Sequence, residues 1–353
     1  MVPKIKSNVT FPQNIVAELE QLIATYPADK VFMVTEENTD RLCFPIFKES
    51  ATLSSLKRLT IPAGEKAKTV ETLSAVWQFL SENKADRGSL LINLGGGMLT
   101  DLCGFAASSF KRGMAFVNIP TTLLSQVDAS VGGKTGINFN GFKNEIGVFS
   151  LPKMVYVDSQ FLRTIDQQNF VSGYAEMIKH GLIMDKKHFE DVQSYDLGNI
   201  DYERIGEMVA DSIAVKDHFV INDPTEKNIR KALNFGHTVG HAFESFAMKS
   251  GKPILHGYAV AYGMIGELFL SYKVAGFDKQ MLQEISAWLI ELYGKFEIST
   301  DDYEQLYQLM THDKKNVGNR INFTLIPEVG SFIIDQNCSK ELIFESLEFY
   351  KNL

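Results

Sequence analysis

Three cysteines in 353 residues, none in a CxxC pair, leave no disulfide framework and no cysteine-based zinc knuckle. So sparse and odd a set of thiols (Cys43, Cys103 and Cys338) predicts a reducing, cytoplasmic setting. No apolar run approaches the roughly 18 to 20 residues that span a bilayer. The opening "MVPKIKSNVTFPQN" lacks the continuous apolar stretch of a secretory signal. Basic residues number 35 against 43 acidic ones, a formal net charge of −8, so the overall footprint of a nucleic-acid binder is missing. Internal repeats, low-complexity tracts and long linkers are missing as well. A fibrous, disordered or membrane-spanning protein is thereby excluded, and neither nucleic acid nor membrane is expected as a partner.

What remains is an ordinary globular composition, 45% apolar and 22% charged, in a chain long enough for two domains. Short apolar runs at 31–35, 56–62, 89–97, 115–120 and 154–158 read as strands. Helical periods at 68–83 and 101–110 lie between them, and a further helix through "RLCFPIFKE" is expected to break at Pro45. This alternation predicts an α/β fold with a parallel sheet and helices on both faces. After about residue 160 helical periods dominate, at 170–192, 201–220, 229–250, 256–275, 279–295 and 301–312. "NFTLIPEVGSFIID" then reads as a hairpin, and a closing helix follows with Ser339 as its N-cap. The expected organisation is a Rossmann-like, nucleotide-type domain over 1–160 and a mainly α-helical, metal-binding domain over 161–353, with a cleft between them.

"LLINLGGGMLTDLCGF" puts Gly95, Gly96 and Gly97 between a buried strand and a helix. Glycines let backbone approach a pyrophosphate, and a helix N-terminus offers free N–H groups and a positive dipole end. The run is not GxGxxG, but its strand-turn-helix context predicts phosphate or dinucleotide binding over a plain tight turn. Asp101 is placed to reach a hydroxyl, or else to stabilise the first turn of the helix. A second loop after the next strand carries Thr121, Thr122, Asp128, Lys134, Lys143 and Asn144, a set suited to an anionic ligand. Its "GGKT" is not a P-loop, because Asp128 stands where the first glycine of GxxxxGK[ST] is required.

In the second half, "GYAEMIKHGL" sets Glu176 and Lys179 on one helical face, "NFGHTVGHAFE" does the same for His237 and His241, and "ILHGYAV" adds His256. One Glu and two His form a common catalytic zinc set that leaves a position open. Four candidates exist for it, one more than such a site needs. Metal ligation competes here with ordinary buried histidines. A zincin is excluded, because Thr238 stands where its general-base Glu would be. Lys216, Arg230, Lys231, Lys314 and Lys315 gather in the same half. Arg230, Asn234 and His237, spaced i, i+4 and i+7, are expected to share a helix face, a set suited to a substrate bearing hydroxyl, carboxylate and phosphate groups.

"GGGMLTDLCGFAASSFKRG", "PTTLLSQVDASVGGKTGIN", "GFKNEIG", "GYAEMIKHGLI", "LNFGHTVGHAFE", "LHGYAVAYGM" and "DKKNVGNRI" occur in the order and spacing of the 3-dehydroquinate synthases, within the sugar phosphate cyclases. The chain resembles that family from about residue 61 to 326. The resemblance implies a carbon–oxygen lyase converting 3-deoxy-D-arabino-heptulosonate 7-phosphate to 3-dehydroquinate and phosphate, in aromatic amino acid biosynthesis. It implies NAD+ used catalytically, a zinc or cobalt ion, a small sugar phosphate as substrate, and a homodimer.

Family roles fall on matching positions. Glu176, His237 and His256 resemble the metal ligands, which leaves His241 for substrate and proton transfer. Asp128, Lys134, Asn144, Lys179, Lys216, Arg230, Asn234 and one of Lys314 or Lys315 (Lys315 is preferred) resemble the substrate-contacting set. Arg112 matches an arginine that reaches the substrate phosphate across the dimer interface. Gly96, Gly97, Asp101, Thr121, Thr122, Glu65 and Lys68 match NAD contacts, with Lys134 and Lys143 assigned to the cofactor as well. Glu36 stands where the family has an aspartate near the adenosine ribose. Two departures, Tyr258 in "HGYAV" and Pro224 with Asn228 in "INDPTEKNIR", leave these positions intact. Cyclases acting on sedoheptulose 7-phosphate or glucose 6-phosphate, metal-dependent alcohol dehydrogenases, and a catalytically dead sensor are the alternatives. The intact lysine, arginine and ligand set favours the synthase.

Overall fold

The computed structural model describes residues 3–140, 142–311 and 320–353. The chain divides into two compact units. One holds Ile5–Phe170 and Asp201–Val209; the other holds Met1–Lys4, Val171–Ile200 and Ala210–Leu353.

The first unit is built on strands β1 (Val9–Thr10), β2 (Val31–Glu36), β3 (Lys57–Ile61), β4 (Leu90–Gly95), β5 (Ala115–Pro120) and β8 (Met154–Tyr156). They form one sheet in the order β1-β8-β5-β4-β2-β3, parallel throughout. Side chains alternate faces along a strand. Met33, Leu90, Ile92, Leu94, Val117 and Ile119 accordingly pack on one side with α1 (Ile15–Ile23) and α3 (Ala51–Ser54). Phe32, Val34 and Leu91 pack on the other with α4 (Val70–Glu82) and α5 (Gly97–Ser109). Each such side chain contributes about 1.5 to 3 kcal/mol on burial. Covering both faces explains why these strands read as continuous apolar runs.

Between Leu42 and Lys48 the expected helix is broken. α2 (Glu37–Leu42) ends, and a 3-10 turn (Phe44–Phe47) starts with Pro45 near its beginning. The α5 helix begins at Gly97, so Asp101 lies beyond its first turn. The second half of the segment read as a ligand loop folds into an antiparallel hairpin, β6 (Lys134–Phe139) with β7 (Phe142–Phe149), which the glycines in its sequence concealed.

The second unit is helical: α6 (Gln167–Met184), α7 (Lys186–Ser194), α8 (Tyr202–Asn222), α9 (His237–Lys249), α10 (His256–Ala275), α11 (Lys279–Tyr293), α12 (Tyr303–Thr311) and α13 (Lys340–Lys351). The stretch expected as one helix over 170–192 is two, divided at Asp185, whose side chain accepts from His188 N at 3.0 Å. The stretch expected over 229–250 is a 3-10 turn (Ile229–Asn234) followed by α9, because Gly236 takes φ +78°, a left-handed conformation that ends one element and starts the next. Arg230 and Asn234 therefore do not share a helix face with His237. β9 (Phe323–Leu325) and β10 (Ile333–Gln336) form the expected hairpin, and Ser339 caps α13 through Leu342 N at 3.2 Å.

Backbone contact joins α9 to α10. A Cβ built on Gly263 would stand 1.9 Å from the Gly236 carbonyl oxygen, and one on Gly240 would stand 2.8 Å from that of Ala259. Glycine is required wherever two helices approach this closely.

Candidate active site and metal centre

In the helical unit, three elements each bring one donor to a common point. Glu176 comes from the middle of α6 and is fully buried; His237 is the first residue of α9; His256 is the first residue of α10. Glu176 Oε1 lies 3.5 Å from His237 Nε2 and 3.6 Å from His256 Nε2. One ligand atom from each residue lies within 4.8 Å of the others. The outer ring nitrogens are engaged elsewhere: His237 Nδ1 is 3.1 Å from the Phe235 carbonyl oxygen, and His256 Nδ1 is 3.5 Å from Glu244 Oε2. An acceptor at Nδ1 holds the proton there and leaves the Nε2 lone pair facing inward, the tautomer a metal requires. Two imidazoles and a carboxylate fit a divalent ion of the zinc or cobalt kind.

His241 sits one turn along α9, with its ring centroid 5.3 Å from that of His237 and 6.0 Å from that of His256. It also belongs to a second set, with Glu244 and His256, whose ligand atoms converge within the same limit. Lys179, almost fully buried, forms an ion pair with Glu176 one turn back on α6. Burial of both charges demands such pairing.

Nearby in sequence, a turn organises Arg230 and Asn234. The Asp223 carboxylate accepts from the backbone N–H groups of Lys227, Asn228 and Arg230 at 3.0, 2.6 and 3.1 Å. Removal from water opposes ionisation of Asp223, but those three N–H groups and the Arg230 charge outweigh it and hold its carboxyl below the usual range. Arg230 Nη1 donates to the Pro224 carbonyl at 2.9 Å, and Asn234 Nδ2 donates to Glu226 Oε1 at 2.9 Å. Lys216 is buried on α8. Tyr258 packs edge-on against Tyr293, with ring centroids 5.3 Å apart. Lys315 lies outside the described residues.

In the sheet unit, the Gly95–Gly97 turn leads from β4 into α5, whose N-cap, Gly96, supplies no side-chain cap. A Cβ on Gly96 would stand 3.2 Å from Thr122, so the two expected loops meet here. Thr122 is tied to Ser125, whereas the buried Thr121 Oγ1 has no hydrogen-bond partner among the described residues. Lys68, 3% exposed, places Nζ 2.7 Å from Asp101 Oδ2 and 2.5 Å from Asn144 Oδ1. Asn138 connects the rest: its Nδ2 donates to Glu65 Oε1 at 2.8 Å, and its Oδ1 accepts from Asn144 N at 2.8 Å. Asn144 stands at φ +50°. An uncapped helix start, an unsatisfied hydroxyl and a buried lysine fit the phosphates and hydroxyls of a dinucleotide. Glu36, at the end of β2, uses its carboxylate oxygens to accept from Asn38 N and Thr39 N, so it caps α2. Asp128 lies in a short π-turn (Ser125–Ala129); Lys134, Lys143 and Arg112 are exposed, Arg112 at φ +71°.

Glu244, Glu226, Asp223 and Asn138 are not among the residues that the sequence singles out. Glu244 carried a usable signal, since it lies seven residues after His237 on the same helix face. The other three act through loops and turns, where no period exists to be read.

A parallel-sheet unit suited to a dinucleotide and a helical unit with a two-histidine, one-carboxylate metal set define a class of cofactor- and metal-dependent enzymes. Residues 58–172 match the family described as 3-dehydroquinate synthase N-terminal, and residues 173–316 the one described as 3-dehydroquinate synthase C-terminal. A 3-dehydroquinate synthase of Parabacteroides distasonis is 47% identical over 346 residues, 98% of this chain and 98% of the relative. That of Clostridium tetani is 37% identical over 325 residues, 90% of this chain and 85% of the relative. The chain belongs to the 3-dehydroquinate synthase family. Among solved structures, 2-epi-5-epi-valiolone synthase from Streptomyces hygroscopicus, with NAD+ and Zn2+ bound, superposes with a TM-score of 0.85 at 21% identity, covering 100% of this chain and 98% of the other. A 2-deoxy-scyllo-inosose synthase complexed with carbaglucose-6-phosphate, NAD+ and Co2+ gives 0.82 at 22% identity, covering 96% and 95%. At such identities these two establish the shared fold.

Proposed function

We propose that the chain converts 3-deoxy-D-arabino-heptulosonate 7-phosphate to 3-dehydroquinate and inorganic phosphate. The observation that carries this reading is the convergence of Glu176, His237 and His256 with both histidines' Nδ1 atoms engaged outward. When bound, a nicotinamide cofactor supplies reversible hydride acceptance, and a divalent cation supplies polarisation of substrate oxygens.

The chain's own residues bind and orient. The Gly96–Gly97 turn, Thr121, Thr122, Glu65, Lys68 and Asp101 hold the dinucleotide, with Lys134 and Lys143 beside its anionic groups. Glu36 takes the ribose end in addition to capping α2. Lys179, Lys216, Arg230 and Asn234 bind the substrate's carboxylate and hydroxyls, joined by Asp128, Asn144 and Lys315. Arg112 binds the phosphate. His241 holds the proton moved at the substrate hydroxyl. With a ketone two carbons from the phosphate-bearing carbon, the hydrogen on the carbon between them is acidic, and phosphate leaves by elimination. With the cofactor bound, the ketone would be reduced again before ring opening and aldol closure, and positioning is the main demand on the protein.

A homodimer is part of the proposal. Its support is the β6–β7 hairpin and the residues just after it, where Phe142 is 63%, Phe149 57% and Leu151 66% exposed, an apolar surface that a second copy would cover. The cytoplasmic assignment is supported by three cysteines present as thiols. Among the described residues no helix is long and apolar enough to cross a membrane.

Purified protein given NAD+ and Zn2+ should release phosphate from the heptulosonate phosphate with no net NADH. Turnover of sedoheptulose 7-phosphate in its place, or NADH accumulating with product, would overturn the reading in favour of another cyclase or a dehydrogenase.

A further inference from the structure

The helix that starts with His237 has no cap of its own. Its N-cap is Gly236, which has no side-chain oxygen to offer. The first N–H groups of any helix lack intrahelical acceptors. Here they are buried, since Thr238 is 2% and Val239 0% exposed. The acceptor comes from another helix. Glu267 on α10, 0% exposed, sets Oε2 2.7 Å from Gly236 N and Oε1 3.1 Å from Val239 N. In a capping box one side chain takes the N–H at N3 and a second takes the N–H at the N-cap. One carboxylate fills both roles here, bridging α10 to the start of α9.

We infer that Glu267 is a positioning residue for the metal centre, fixing the first turn of α9 and with it the His237 imidazole relative to His256. The inference rests on the metal reading above. His256 opens the same helix that carries Glu267, eleven residues earlier, about 16 Å along a rigid rod. Glu267 thus ties the origin of one ligand to the helix that bears another. The residue before Gly236 is Phe235, whose carbonyl meets His237 Nδ1, so a shift at Gly236 moves both the ring and the group that sets its tautomer. A Cβ on Gly236 would stand 2.6 Å from Met264 Cγ, so no side chain at that position has space to do this work. A buried carboxylate is costly unless its hydrogen bonds are made. Met264 and Leu270, three residues to either side on the same helix face, are fully buried, and the one polar neighbour on that face, Ser271, spends its hydroxyl on the Glu267 carbonyl and the Ile326 N–H. Packing alone would be served by another leucine; the two N–H groups would not.

The test is titration of the metal-free protein with Co2+, read by affinity and by the visible spectrum of the bound ion. Glu267→Gln keeps the shape and one acceptor oxygen but loses the charge. Glu267→Asp keeps the charge but is too short to span both N–H groups. Each variant is checked by circular dichroism for native helix content. The expected result is Co2+ affinity lowered about tenfold in folded variant, with a changed visible spectrum, as His237 leaves its place. A folded variant with unchanged affinity and spectrum, whatever its melting temperature, would make Glu267 a stabilising cap only and overturn the inference. Wild-type protein that takes up no Co2+ would instead bring down the metal reading itself, and this inference with it.

Discussion

His256 Nδ1 lies 3.5 Å from a carboxylate oxygen of Glu244, and the ring's Nε2 lies 3.6 Å from Glu176. One carboxylate orients the imidazole from outside while the other shares the centre with it. Glu244→Gln, which keeps the shape and removes the charge, is expected to lower metal affinity about tenfold while the protein still folds. Competition with a chelator measures the change. Undiminished affinity would mean that Glu244 does not orient the ring.

The same geometry makes metal uptake pH-dependent. Removal from water lowers the basicity of His256, but its contacts with Glu176 and Glu244 outweigh that and push its pKa up to about 10 in the metal-free protein. The folded value then lies above the unfolded one, near 6.5. Its contribution to stability is complete below about pH 6.5 and is lost as pH rises through about 10. Metal-free wild-type protein should therefore lose melting temperature across that window more steeply than His256→Ala. Metal binding near neutral pH should also release a proton, seen by calorimetry in buffers of different ionisation enthalpy.

Two donor sets converge on His256, one through Glu176 and His237 and the other through His241 and Glu244. If the first holds the ion, His237→Ala and His256→Ala lose bound metal and His241→Ala retains it while losing turnover. Metal analysis of the three purified variants decides the matter. Loss in His241→Ala with retention in His237→Ala would move the ion to the second set.

Lys68 joins Asp101 to Asn144, and removing it leaves a partly buried carboxylate without that partner. Lys68→Met is expected to cost roughly 3 kcal/mol of stability, and to weaken NADH binding at least tenfold. Denaturant melts and NADH fluorescence titration read the two effects separately. Unchanged NADH affinity would remove Lys68 from the cofactor site.

Gly263→Ala would put a methyl carbon 1.9 Å from the Gly236 carbonyl oxygen. Helices α9 and α10 would have to separate, at about 3 kcal/mol, and the histidines at their starts would move apart. The melting temperature and the bound-metal content should fall together. A variant as stable as wild type would show that the two helices tolerate separation.

Much of the fold, and the donor types of the candidate site, were legible before folding was considered. The strand-glycine-helix run marked the turn from β4 into α5, the buried strands marked a parallel sheet, and Ser339 marked the start of the last helix. These are local signals, carried by the neighbours of each residue in the chain. The break at Gly236 was not legible, because the apolar period runs through it. A glycine inside a helical pattern does not reveal whether it will take φ +78°. The β6–β7 hairpin was hidden for a similar reason, since its glycines and lysines also describe an anion-binding loop. Asp223, Glu226 and Asn138 act across turns whose shape no spacing encodes.

The sequence alone therefore determined the donor types, the glycine turn and the family to which the chain belongs, since residue chemistry and motif order survive without coordinates. Tertiary structure decided which ring nitrogen of His237 and of His256 faces inward. It also decided that Glu244 and the Phe235 carbonyl set those tautomers, and that a carboxylate on α10 caps the helix opening with His237. The Glu244 and Glu267 contacts join residues many positions apart in the chain, and only the packing of α9 against α10 brings them within reach.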